Sequence, residues 1–172
     1  MNRSGIASLI AIAVTLAAAG VACSGAKGGP SINNKVGGND LPPPTSSVVS
    51  RDILEREPIA NSAQVKHILI GWKDLAETYQ GHLDPRAAKR DKAAAEAEVK
   101  SILEQLRGGA DFDALMKTHS EDLGSASTGR SYAVRPDAQL VIEFRQISLR
   151  LKVSEIGVCE SDFGFHIVKR IE

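Results

Sequence analysis

Between residues 62 and 172 the apolar positions change period several times, and each change marks a predicted element. From Gln64 to Trp72 the side chains alternate, with Val65, His67 and Leu69 on one side and Lys66, Ile68 and Ile70 on the other. That is the pattern of a strand with a histidine on one face. A loop with Gly81 and His82 follows, and Asp84-Pro85 reads as an N-cap with proline at the first helical position. The spacing predicts a helix from there to Arg107, because Ala95, Val99, Ile102, Leu103 and Leu106 form one apolar stripe before Gly108-Gly109 ends it. A second helix opens at Asp111 and presents Phe112, Leu115 and Met116, with His119 one turn later. Residues 120 to 131 are polar and predict a loop, followed by a short strand. A third helix is expected from near Asp137, after Pro136, on the spacing of Leu140, Phe144, Ile147 and Leu151. Two strands, near 157–160 and 165–171, close the chain. This order predicts an α+β fold, with helices packed on a small, mostly antiparallel sheet.

The N-terminal third has a different character. Residues 1 to 22 contain Arg3, no acid, and an apolar run from Ile6 to Ala22 that turns to small residues at its end, as in a secretory signal segment. An uncleaved membrane anchor is the alternative. Cys23, directly after Gly20-Val21-Ala22, resembles the acylated cysteine of a lipobox, with Gly20 where that motif usually has Leu. Residues 23 to 61 are rich in Gly, Ser, Asn and Pro and predict a flexible tether. The expected organisation is therefore a signal segment (1–22), a lipidated Cys23 with its tether (23–61) and one folded domain (62–172).

Composition narrows the function classes. Among 172 residues, 21 Lys and Arg balance 21 Asp and Glu, so no net field recruits nucleic acid. Aromatic residues are few, so the core is expected to be aliphatic. Of the two cysteines, lipidation of Cys23 would leave Cys159 alone, which excludes an internal disulfide and a zinc site of paired cysteines. Ser120 and Asp122 lie near His119, yet no nucleophile elbow accompanies them. Cys159 reads as a small buried apolar residue.

Three segments in register resemble the parvulin family of peptidyl-prolyl isomerases. They are Val65 to Ile70; Gly109-Ala110-Asp111-Phe112-Asp113-Ala114-Leu115 with His119-Ser120-Glu121-Asp122 and Gly124-Ser125; and Phe163-Gly164-Phe165-His166-Ile167-Val168-Lys169. The resemblance implies an FKBP-like α+β domain with three to four helices. It places the family's paired histidines on His67 and His166, and the acid or thiol facing the substrate carbonyl on Asp122. It sets the apolar proline pocket on Leu140 and Phe144 with Phe163 beside it, and Ser161 near the hydroxyl that supports the histidines. Where the family commonly has a Gly-Gly-Asp-Leu-Gly run, this chain has Gly129-Arg130-Ser131-Tyr132-Ala133, which puts the larger ring of Tyr132 in the pocket wall.

The implied activity is rotation about Xaa-Pro bonds in exported or envelope proteins, with no metal, cofactor or covalent intermediate. The location it implies is the bacterial envelope, with the lipid anchor as the membrane partner. Asp122 is expected either to be protonated or to bond to a histidine, since a bare carboxylate would repel a carbonyl. The alternative function is a holding module that keeps the peptide groove without turnover.

Overall fold

The computed structural model describes residues 46–57 and 59–172. The expected signal segment, Cys23 and residues up to 45 lie outside the described residues.

Four strands form one antiparallel sheet: β1 (Ala63–Ile70), β2 (Tyr132–Val134), β3 (Ile156–Ser161) and β4 (Gly164–Arg170), in the spatial order β2-β1-β4-β3. Among the described residues five α-helices accompany them: α1 (Arg51–Leu54), α2 (Lys92–Arg107), α3 (Phe112–His119), α4 (Leu123–Thr128) and α5 (Ile142–Arg150). Helices cover both faces, so the middle strands are buried on both sides. On one face Ile68, Ile70, Val158, Phe165 and Ile167 meet Val99 and Ile102 of α2 and Phe112, Leu115 and Met116 of α3. On the other, Val65, Val168 and Cys159 meet Phe144, Ile147 and Leu149 of α5. The period-2 alternation of β1 thus sorts its side chains between two cores, and His67 belongs to the α5 face.

Three expected boundaries differ, each for a local reason. The long helix is capped by Asp91, whose side chain accepts from Ala94 N–H, and not by Asp84. Asp84 is engaged by Arg86, and Arg90 takes an extended backbone conformation that breaks the run after a single 3-10 turn at Ala87–Lys89. The helix expected from Asp137 starts at Ile142, because Asp137 pairs with Arg135 in a turn; Leu140 therefore precedes the helix. Within the expected polar loop 120–131, Asp122 caps the short helix α4, and Gly129 ends it in the left-handed conformation.

The chain also packs earlier than residue 62. Val48 and Ile53 are buried in the two cores, and Ser50 hydrogen-bonds both polar groups of Val158 on the edge strand β3. The last part of the expected tether is a strap along that edge.

Candidate active site

Antiparallel register sets Leu69 opposite His166 and Val168 opposite His67, so the two histidines sit diagonally on the same sheet face. Their rings lie nearly parallel, with Nδ1 facing Nδ1 at 3.2 Å. A tight turn joins β3 to β4, and Gly164 is its exit. Gly164 has φ of +128°, and a Cβ there would stand 2.5 Å from the Ile70 carbonyl oxygen, so only glycine fits. This turn places Ser161 Oγ 2.8 Å from His166 Nε2, while Ser161 Oγ accepts from Phe163 N–H.

Asp122 reaches the pair from the opposite side. Ser120 and Glu121 bind the end of β1: Leu69 N–H donates to Ser120 Oγ, and Glu121 N–H donates to the Leu69 carbonyl. The Glu121 carboxylate accepts from Gly71 N–H and pairs with Arg90, which also bonds the Gly71 carbonyl and Glu98. With its neighbours fixed this way, Asp122 sets Oδ2 2.8 Å from His67 Nε2, 2.9 Å from Ser125 Oγ and 2.7 Å from the Tyr132 hydroxyl. Oδ1 accepts from Gly124 N–H.

The bonds join end to end from Ser161 through both rings to Asp122. With His67 Nε2–H donating to Asp122, the line runs one way: His166 Nδ1–H donates to His67 Nδ1, and Ser161 donates to His166 Nε2. Burial drives His166 down to about 3, with the neighbouring His67 adding to the effect, so it stays neutral. Asp122 is held well below the usual carboxylate range, first by His67 and also by Tyr132 and Ser125, and is ionised. Burial and the Asp122 charge push the Tyr132 phenol up to about 12, which keeps it a donor.

Apolar groups flank this polar line. Phe144 packs edge-on against His67 at 5.1 Å and against Tyr132 at 5.8 Å, and Tyr132 meets His67 edge-on at 5.2 Å. Leu140 packs half-buried on the same cluster. Phe163 has a different ring neighbour, Tyr79, whose hydroxyl donates to the Phe163 carbonyl. His119 turns away to Glu98 on α2, His82 is exposed in its loop, and Cys159 is buried with its thiol pushed up by burial.

The sequence singled out His67, His166, Asp122, Ser161, Tyr132, Leu140 and Phe144, and the fold brings these together. Ser120, Glu121 and Ser125 stand in the motif that carries the resemblance but were given no role in the site, and the Arg90–Glu121 pair was not expected; the motif itself was the available signal.

A family model for the PPIC-type PPIASE domain matches residues 51–172. The chain is 30% identical over 122 residues to the foldase protein PrsA of Geobacillus kaustophilus, covering 70% of this chain and 43% of that protein. It is 31% identical over 148 residues to the chaperone SurA of Saccharophagus degradans, covering 81% of this chain and 30% of SurA. The chain thus spans less than half the length of these relatives. Among solved structures, peptidyl-prolyl isomerase ESS1 from Candida albicans superposes with a TM-score of 0.54 at 22% identity, over 72% of this chain and 66% of its own. TbPIN1 gives 0.56 at 19% identity, over 66% of this chain and the whole of its own. These two likenesses bear on the fold.

Proposed function

Because the chain belongs to the PPIC-type peptidyl-prolyl isomerase family, the parvulins, we propose that the groove between Phe144 and the His67–His166–Asp122 line isomerises Xaa-Pro bonds in proteins folding at the cell envelope. The observation that carries this reading is that Phe144 and Tyr132 pack directly against the hydrogen-bonded line from Ser161 to Asp122. Rotation about an Xaa-Pro bond forms and breaks no covalent bond, but amide resonance is lost at a barrier of about 18–20 kcal/mol. A catalyst must therefore favour the twisted amide over the planar one.

Phe144, Leu140 and Tyr132 supply an apolar wall for the proline ring, which holds one side of the bond and favours the less polar twisted state. The histidine pair, backed by Ser161 and Asp122, presents a fixed polar edge along which the carbonyl turns. Phe163 packs on Tyr79 at the β3–β4 turn, apart from the Phe144 cluster. The PrsA and SurA likenesses support exported proteins as the substrates, and the apolar leader with Cys23 supports a lipid-anchored, envelope location. Radiolabelled palmitate incorporation that is lost in Cys23→Ser tests the anchor; an unlabelled native chain would exclude it.

The decisive assay is exchange NMR on Xaa-Pro peptides, without a coupled protease, using the full chain and its His67→Ala, Asp122→Ala and Phe144→Ala variants. Acceleration by the native chain is expected. Phe144→Ala is expected to lower it about a hundredfold, the scale of losing a buried aromatic contact in the transition state. Peptide binding without acceleration would favour the holding module.

A further inference from the structure

We propose that Tyr132 is a positioning residue, its hydroxyl holding Asp122 and through it the histidine pair in one hydrogen-bonding arrangement. This deepens the isomerase reading of the groove and rests on it. The motif position that Tyr132 occupies was expected to add only ring bulk to the pocket wall. The structure gives its hydroxyl a specific partner, Asp122 Oδ2 at 2.7 Å, while its ring stands edge-on to both His67 and Phe144.

Asp122 serves four donors of the protein. Oδ2 accepts from His67, Ser125 and Tyr132, and Oδ1 from Gly124 N–H, so four protein donors hold the carboxylate, three of them on one oxygen. Oδ2, the oxygen that faces His67, is filled by these donors, so the charge of Asp122 bears on the histidine pair through that bond. Asp122 therefore acts through His67. The histidine pair admits two neutral arrangements. In one, His67 carries its proton on Nε2 and accepts at Nδ1 from His166. In the other, His67 carries its proton on Nδ1 and donates to His166, whose own proton moves to Nε2 and faces Ser161 Oγ. Only the first gives Asp122 its bond from His67. Tyr132, delivered from β2 by its pairing with Val65, and Ser125, from α4, pin the carboxylate where that arrangement is required.

The titratable groups around Asp122 are His67 on β1, His166 on β4, Tyr132 on β2 and Tyr79 in the loop after β1. None is a lysine or arginine, so loss of the Tyr132 hydroxyl leaves His67 and Ser125 to carry the carboxylate. Its proton affinity then rises, and the acid limb of activity moves to higher pH.

The test uses the full chain, with Tyr132→Phe removing the hydroxyl and keeping the ring, and Ser125→Ala removing the second hydroxyl. Two readouts apply: the pH profile of kcat/KM, and 15N imidazole shifts that report which nitrogen of each histidine carries the proton. Tyr132→Phe is expected to lower kcat about tenfold and raise the acid limb by roughly one pH unit, the scale of one charge-assisted hydrogen bond. His67 is expected to leave the pure Nε2–H form. Ser125→Ala is expected to shift the same signals in the same direction. Unchanged imidazole shifts and an unmoved acid limb in Tyr132→Phe would overturn the inference while leaving the isomerase reading intact. A native chain that fails to accelerate exchange, yet changes tautomer in Tyr132→Phe, would remove the isomerase reading and keep the positioning.

Discussion

At the scale of single residues, the site is a set of polar groups that burial would penalise if any lacked a partner. His166 shows the consequence most directly. Its folded-state value near 3 lies below the ordinary histidine value of about 6.5, so the unfolded chain takes up a proton first as pH falls. The unfolded state binds more protons between those two values, and stability is lost as pH falls through that window. Urea midpoints of the native chain are therefore expected to decline between about pH 6.5 and 4.5, and His166→Asn, although less stable throughout, is expected to decline less steeply. Equal slopes would show that His166 does not carry the effect. Asp122 acts in a lower range, since its depressed value keeps its contribution until pH drops below the usual carboxylate region. His67 was legible in the sequence because its alternating strand assigns it a face, and His166 because the segment from Phe163 to Lys169 carries the resemblance. The Tyr132–Asp122 bond was not legible: ten residues separate the two, and only the return of the chain through α4 into β2 makes them neighbours.

Among the elements, strands, apolar stripes and the Asp111 cap of α3 were readable, and the starts of α2 and α5 were not. Both Asp84 and Asp91 have the chemistry of a cap, and local propensity does not choose between them. The choice is made at long range, by Arg90 leaving helical geometry to bind Gly71, Glu98 and Glu121. The strap 46–57 was hidden for a related reason. Its sequence carries few apolar residues, yet Val48 and Ile53 each find a gap in a preformed core, and Gly157 leaves the room. A Cβ on Gly157 would come within 2.9 Å of both Ile53 and Ile147. The strap also covers the β3 edge through Ser50, where an open strand would invite pairing with another chain. Ile53→Ala is accordingly expected to destabilise the fold by about 2–4 kcal/mol in urea unfolding. Cutting the chain at residue 62 is expected to cost more and to promote association by light scattering. A truncated chain as stable and monomeric as the native one would mean that the strap merely rests on the surface.

On the scale of the whole molecule, charge decides which peptides the groove can favour. Positive and negative side chains balance over the full sequence, and two arginines beside the segment that leads to Asp122 are already committed. Arg86 is bound to Asp84 and to the carbonyls of Thr118 and Ser120, and Arg90 to Glu98 and Glu121. A phosphate on the residue before proline would have to draw these guanidiniums from carboxylates that already satisfy them, and it would approach the ionised Asp122. The net gain is small, because one charge-assisted pair is exchanged for another. Peptides with phosphoserine before proline are thus expected to isomerise no faster than those with alanine or leucine, with little change on adding salt. Asp84→Asn offers the converse test. It releases Arg86 beside the segment that leads to Asp122, and it is expected to shift preference toward the phosphorylated peptide while the neutral peptides keep their rate. If the native chain already prefers phosphoserine, Arg86 is available despite Asp84, and the selectivity of the groove resides in that loop and not in the Phe144 slot.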